Sequence, residues 1–437
     1  MERERVAATE HRGEWRGGWR IVAAAMIGIG FGPGLVQNLS SLFVPGLTAT
    51  FGWTRGDMAT AAAIGLIGAL IVPLIGRLAD RIGARPVIVA GTLLLAGALT
   101  GFTVTNGSIW SYQLLIFCSA LSVGGTSAVV YGRIIAPRFV RHRGIALGVA
   151  TSGLSLSTLL LSPVIAGVIA DHGWRGGFLT LPALAALIGL PLVLLLLRGA
   201  VVAPVHHAGA PEDIAPETFL AGMTGREARR DSRFWRLGAA AALINIASVG
   251  LVTQLVPFGI DRGLSLEHAA LLVTSFAAAQ IVGRLAMGLM VDRFPAQRTA
   301  AAFAGVSAMA FAALLMPLPG AVAMIAVVFF ALLMHGAEND LLPYLTARLF
   351  GLRAYGETYG ALLTLALFGT ASGVMMFGRL HDSTGDYAIP LAVSAGALAL
   401  AALLFLTLGD RRAPATARRD RTRYDGAAAG VAPTAAS

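Results

Sequence analysis

The phrases GRLADRIGAR at residues 76–85 and GLMVDRFPAQR at residues 288–298 share one pattern: an Asp-Arg pair that begins four residues after a glycine. The two glycines lie close to half the chain apart. Two further echoes repeat at nearly the same offset, Gly167/Asp171 with Gly378/Asp382 and Trp19-Arg20 with Trp235-Arg236. Repetition at one long period indicates two similar halves of about 200 residues each.

The composition is that of a membrane protein. Hydrophobic residues make up 56% of the chain, charged residues only 13%, and the mean hydropathy is +0.74. A bilayer crossing needs about 20 apolar residues, and its backbone must satisfy its own hydrogen bonds, which favours helices. We therefore expect an all-α integral membrane fold of twelve transmembrane helices in two six-helix bundles, near 20–48, 55–76, 85–105, 108–136, 144–170, 176–198, 236–260, 266–290, 299–318, 321–347, 356–380 and 387–409. Parallel halves in such a chain are typical of transporters.

Arginine sets the expected orientation, because the sequence contains no lysine and all 33 basic residues are arginine. If the N-terminus is cytoplasmic, most of these arginines fall in cytoplasmic segments. The external segments hold only Arg55, Arg175, Arg262 and Arg379. The positive-inside rule thus predicts that both termini are cytoplasmic, and the location expected is a bacterial cytoplasmic (inner) membrane.

The predicted organisation has five parts: a cytoplasmic segment 1–19, a bundle 20–198, a cytoplasmic linker 199–234, a second bundle 235–409 and a disordered cytoplasmic tail 410–437. No removable signal peptide is evident. Cys118 is the single cysteine, so an intrachain disulfide or a cysteine metal cluster is excluded. We find no nucleotide loop, no metal motif and no nucleophile–base arrangement, and we expect neither an enzyme nor a cofactor. The net charge of +10 needs no nucleic acid partner, and we expect a monomer.

The loop phrase predicts a gate, because glycine permits close helix packing and the Asp-Arg cluster can lock or release the two halves. It resembles the signature loop of the major facilitator superfamily at Gly76, Asp80, Arg81 and Arg85. The second copy offers Gly288, Asp292 and Arg293. Arg133, Arg141 and Arg143 are assigned to the same cytoplasmic gate.

Four more phrases are similar to bacterial members of the monocarboxylate/oxalate transporter branch of that superfamily. They are FGWTRGDM (51–58), RFVRHRGIALGVATSG (138–153), HGWRGGF (172–178) and RLFGLRAYGETYG (348–360). The resemblance spans essentially the whole chain and implies the major facilitator fold.

Arg284 is the main candidate for substrate binding. It lies in the apolar run AAAQIVGRLAMG, and an arginine at that depth is costly unless it faces water or a counter-charge. Its planar fork matches a carboxylate with two parallel hydrogen bonds. The resemblance implies the same role, because the family's eighth helix carries a substrate-binding arginine here. The alternative is a structural arginine near the cytoplasmic end.

Animal monocarboxylate carriers have an aspartate one turn before that arginine and a lysine in the first helix. This chain has Gln280 and, within one residue, Gln37 or Asn38, which do not titrate. Oxalate exchangers add a cation in the eleventh helix, and residues 362–378 hold none. Binding of a dicarboxylate by two cations would therefore need Arg133.

Other polar residues within the spans are candidates for the cavity lining or for contacts between helices. Asn38, Gln37, Gln280, Tyr131 and Asn245 form the predicted substrate site with Arg284. Glu338 and Asp340 in the tenth helix could carry a coupling proton, offset Arg284, or bridge to Arg348 and Arg353. His335 could titrate or simply pack. Gly28, Gly30, Gly32 and Gly34 predict a helix break or close helix packing beside Pro33.

The sequence thus predicts a transporter of a small organic anion, coupled by proton symport or by anion exchange. Two rivals remain: an exporter of amphipathic or apolar compounds, and a membrane sensor that binds a ligand without moving it.

Overall fold

The computed structural model describes residues 2–68, 78, 81–126, 128–135, 138–139, 142–198, 222–291, 293–351 and 353–409. Within those ranges every regular element is helical, and the sole β-type contact is an isolated bridge between Gly222 and Gly351.

The first half comprises α1 (Glu2–Gly30), α2 (Pro33–Phe51), α3 (Arg55–Gly68), α4 (Ala84–Phe102), α5 (Ile109–Leu121), α6 (Val123–Thr126), α7 (Ala128–Ile135), α8 (Arg143–Ala183), a π-helical stretch Leu184–Gly189, and α9 (Leu190–Leu196). The break predicted beside Pro33 is confirmed, since α1 ends at Gly30 and α2 begins at Pro33. A second break lies inside α8 at Gly173, whose φ of 70° is easy only for glycine.

The second half comprises α10 (Gly225–Arg230), α11 (Ser232–Val252), α12 (Leu255–Asp261), α13 (Leu266–Val291), α14 (Ala296–Ala313), α15 (Gly320–Phe350), α16 (Tyr355–Thr384) and α17 (Ala388–Leu406). In the part of the chain that the structure describes, eight helical stretches are long and apolar enough to cross a membrane: Gly17–Phe51, Ala84–Phe102, Ile145–Leu196, Ser232–Val252, Leu266–Val291, Gly320–Phe350, Tyr355–Thr384 and Ala388–Leu406. Ile145–Leu196 has 52 residues, enough for two crossings of about 20 residues each.

Helix α10 and the start of α11 fall within the predicted linker and are held by caps. Thr224 and Glu227 form a reciprocal capping box, and the backbone hydrogen bond from Thr224 holds the pKa of Glu227 below its usual range. Asp231 caps α11, and its hydrogen bonds with the Arg233 side chain lower its pKa. Of the remaining predicted linker, residues 199–221 lie outside the described ranges, as does the tail from 410.

The halves meet along two main helix pairs, α3 with α16 and α8 with α13. Three contacts run in antiparallel order along α8 and α13: Thr151 meets Arg284, Ser155 meets Gln280, and the Ser162 hydroxyl donates to the Ala270 carbonyl. This order places Arg284 toward the start of α8, whereas Ala270 lies toward its middle. Within the second half, glycines let α11 and α16 approach closely, since a Cβ added at Gly369 would collide with the Ala242 carbonyl oxygen.

Candidate functional site

Arg284 stands between the two halves, as its sequence context suggested. It projects from α13 of the second half, and its Nη1 donates to the Thr151 hydroxyl of the first half at 3.2 Å. Its Nε lies 3.1 Å from Asp340 Oδ2 on α15, yet that N–H is not aligned for a hydrogen bond. Among the described residues the bond to Thr151 is the one hydrogen bond that the guanidinium donates. A partly exposed arginine with unused donors is suited to hold a carboxylate.

Asp340 is the counter-charge that Arg284 needs. Its side chain is 50% exposed and that of Arg284 is 22% exposed, so water reaches both partners. The sequence left three roles open for Asp340: to carry a proton, to offset Arg284, or to bridge to Arg348 and Arg353. In the structure its carboxylate contacts Arg284.

Gln280 lies one turn before Arg284 on α13, is buried, and links α13 to α8. Its Oε1 accepts a hydrogen bond from the Ser155 hydroxyl at 2.8 Å. The backbone of α13 at Gln280 is so near Gly336 that an added Cβ there would lie 2.5 Å from the Gln280 carbonyl oxygen. Gln280 is thus fixed against both α8 and α15.

Glu338 forms a second, separate polar cluster inside the second half. Glu338 as a whole is 7% exposed. Its two carboxylate oxygens accept from Asn245 Nδ2 at 2.8 and 3.0 Å, and Asn245 Oδ1 accepts from the Thr370 hydroxyl at 3.2 Å. No cation forms an ion pair with Glu338 among the described residues. In the present conformation the Asn245 amide is therefore hydrogen-bonded to the Glu338 carboxylate.

No described contact joins Arg284 to three other predicted cavity residues, Asn38, Gln37 and Tyr131. Asn38 is buried and donates to the Thr158 hydroxyl at 3.0 Å within the first half, whereas the neighbouring Gln37 is exposed. Tyr131 is buried against α1, where a Cβ at Gly28 would collide with its hydroxyl. Their part in substrate binding stays a prediction.

The predicted gating residues are only partly described. Gly76, Asp80, Arg141 and Asp292 lie outside the described ranges, and for Arg133 and Arg143 the backbone alone is described, within α7 and at the start of α8. Arg81 and Arg293 are exposed, whereas Arg85 donates to the Leu197 carbonyl of the first half. An added Cβ at Gly288 would meet nothing within 4 Å, so no close helix approach depends on that glycine here.

One charged cluster between the halves was missed by sequence reasoning. Arg55, at the start of α3, contacts Asp261, Asp382 and Tyr387 of the second half. The available signals were the arginine in the phrase 51–58 and Asp382 in a repeated Gly/Asp pair, but partners more than 200 residues apart in sequence are not paired by local pattern. No group of three metal-binding side chains occurs in the described part of the chain.

Comparison with known proteins agrees with this architecture. The family model for the Major Facilitator Superfamily matches residues 22–373. The chain therefore belongs to the major facilitator superfamily, whose members are transporters and not enzymes.

Relatives of known name narrow the position within the superfamily. Monocarboxylate transporter 11 of Mus musculus is 28% identical over 91% of this chain and 88% of its own length, and the Homo sapiens protein is 27% identical over 91% and 83%. An MFS-type transporter of Gibberella moniliformis is 27% identical over 77% and 78%. The chain is thus a multi-pass membrane transporter related to the monocarboxylate transporters.

A solved structure supports the fold. A bacterial homologue of the human lysosomal transporter Spinster, inward-facing and unoccupied, aligns with a TM-score of 0.69 at 16% identity, covering 90% of this chain and 97% of that one.

Proposed function

We propose that this chain is a secondary active transporter that carries a small organic anion, a monocarboxylate, by alternating access between its two halves. The observation that carries the proposal is the unused hydrogen-bonding capacity of Arg284 at the junction of α8, α13 and α15. A charged group this deep in an apolar helix is expensive, and binding an anionic substrate is a function that justifies the cost.

The contacts of Arg284 suggest how binding and movement are connected. A carboxylate on Arg284 would sit beside Thr151 of one half and Asp340 of the other. Because the ligand would touch both halves, its free energy of binding can differ between conformations, which is the requirement for a ligand to shift a conformational equilibrium. Gln280 and Asn38 would supply neutral polar contacts.

The orientation that we propose places twelve crossings in a bacterial cytoplasmic membrane, with both termini inside. It follows from the distribution of the arginines. In this orientation Arg55 is at the external end of the molecule. The cytoplasmic gate would be formed by the arginine-containing loops at 77–85, 138–143 and 293–298.

Coupling proceeds in this account by proton symport or by anion exchange, and the two acids of α15 divide the roles. Asp340 is the resident counter-ion that an incoming carboxylate displaces from Arg284. Glu338 is the proton site, because a buried carboxyl group whose described partners include an amide and no cation is least costly when it is neutral.

The test is ligand-induced thermal stabilisation of the purified full-length protein across a panel of mono- and dicarboxylates. A ligand that binds the native state raises its unfolding temperature by mass action. We expect a monocarboxylate to stabilise the wild type and not Arg284→Gln. Arg262→Gln is the matched control, because the contacts that the structure describes for Arg262, with the Leu314 and Met316 carbonyl groups and the Phe258 ring, all lie in its own half. Equal stabilisation of wild type and Arg284→Gln would refute the site. A response to apolar compounds alone would favour the exporter.

A further inference from the structure

The cluster around Arg55 joins the two halves at the end of the bundle remote from Arg284. The guanidinium makes two parallel contacts with the Asp261 carboxylate, Nη1 to Oδ2 at 2.6 Å and Nη2 to Oδ1 at 2.9 Å. Arg55 Nη1 also donates to the Tyr387 hydroxyl, which in turn donates to Gln254 at 3.1 Å. Arg55 belongs to the first half, and all of these partners belong to the second.

The backbone of the same residue makes an independent contact. The N–H groups of Arg55 and Gly56 donate to the two oxygens of Asp382 at 3.1 and 2.7 Å. The first N–H groups of a helix have no partner within the helix itself, and the helix dipole at the start of α3 favours a negative charge. Asp382 thus caps a helix of the opposite half.

The helices at this contact are as close as their backbones allow. An added Cβ at Gly378 would lie 2.6 Å from Ala59 Cβ and 2.8 Å from the Arg55 carbonyl oxygen, and one at Gly56 would lie 2.5 Å from Asp382 Oδ2. Directly inside it, Ala59 packs with Val249 and Val374 in a small apolar cluster that also spans the halves. Polar contacts and an apolar cluster beside them thus join the two halves at this end.

We propose that Arg55, Asp261, Asp382 and Tyr387 form a latch that holds this end of the substrate pathway shut, and that its release opens the pathway on that side. Opening must separate the bidentate ion pair and remove Asp382 from the start of α3 in one movement, because Arg55 takes part in both contacts. His381, whose Nε2 lies 3.3 Å from Asp261 Oδ2, belongs to the same side of the contact as Asp261 and is not needed to join the halves.

The test measures access to the layer beneath the latch, in full-length protein in sealed membranes, and needs no substrate. Val249→Cys, placed in a Cys118→Ser background, reports access to an impermeant thiol reagent added on the Arg55 side. We expect Arg55→Gln to raise the labelling rate about ten-fold, because loss of the guanidinium contacts moves the population toward the open state. Asp261→Asn should raise the labelling rate by a similar factor. The double variant should label little faster than either single variant, because both substitutions remove the same ion pair.

The matched control is Arg175→Gln, which removes another arginine at this end whose contacts, with Thr103 and Trp174, lie within the first half. An unchanged rate for Arg55→Gln would overturn the proposal, as would an equal increase for Arg175→Gln. Because the readout is independent of carboxylate binding, failure of the latch and failure of the Arg284 site give different results.

Discussion

Replacing Asp340 by asparagine should make this carrier bind carboxylates more tightly. Asp340 and the substrate compete for the same cation, since Asp340 Oδ2 lies 3.1 Å from Arg284 Nε. Removing the negative charge of Asp340 frees Arg284 and also removes the repulsion between Asp340 and the incoming anion.

The size of the effect follows from the distance and the exposure. Two unit charges at this separation attract by about 5 kcal/mol at an effective dielectric constant of about 20. Asp340 is half exposed, so solvent and side-chain entropy reduce the net value to about 1 kcal/mol. That corresponds to a roughly five-fold lower Kd for the carboxylate.

The assay is titration of purified wild type and Asp340→Asn with the same monocarboxylate at constant pH. Glu357→Gln is the matched control, because it removes the exposed ion pair between Glu357 and Arg229 on the same half and leaves Arg284 untouched. Weaker binding by Asp340→Asn would refute the reasoning, because it would mean that Asp340 orients Arg284 for the ligand and does not compete with it.

Two other substitutions test the second half. Glu338→Gln keeps the shape of the side chain and the hydrogen bond to Asn245 but removes the group that takes up the proton. It should therefore abolish the stimulation of uptake by an inward proton gradient and change the rate of substrate exchange by less than about two-fold. Both rates are measured in proteoliposomes, with the exposed Glu267→Gln as the control. Loss of exchange as well would make Glu338 structural. Gly369→Ala should cost about 1–3 kcal/mol of unfolding free energy through its collision with Ala242, whereas Gly360→Ala on the same helix, with open space at its Cβ, should not lower the melting temperature. Equal stability of the two variants would contradict the close α11–α16 packing.

The sequence was sufficient for the class of fold, because hydropathy and the repeated Gly/Asp-Arg phrase do not depend on how helices are rotated. It also made Arg284 a candidate, since a charge inside an apolar run is conspicuous wherever its partner lies. Both breaks in the helices also have local signals. The one beside Pro33 follows from the proline, and Gly173 lies in the polar segment between the predicted spans 144–170 and 176–198.

The contacts of the site depend on which face each helix turns to its neighbours. The periodicity of apolar residues in the sequence did not predict these faces. Asp340 rather than Glu338 reaches Arg284, although the two acids are only two residues apart on α15. The packing of Tyr131 against Gly28, where its ring fills the space that the glycine leaves, likewise has no signal in the local pattern. The sequence used Arg55 only in the argument for the expected orientation, because its partners are distant in sequence.

The central claim is that Arg284 binds a carboxylate that the protein then carries across the membrane. The most direct measurement is counterflow: proteoliposomes loaded with an unlabelled monocarboxylate that stabilises the protein are diluted into the isotope-labelled acid. The account predicts transient accumulation of label with the wild type and with Arg262→Gln, and none with Arg284→Gln. Accumulation by Arg284→Gln at the wild-type rate would contradict it.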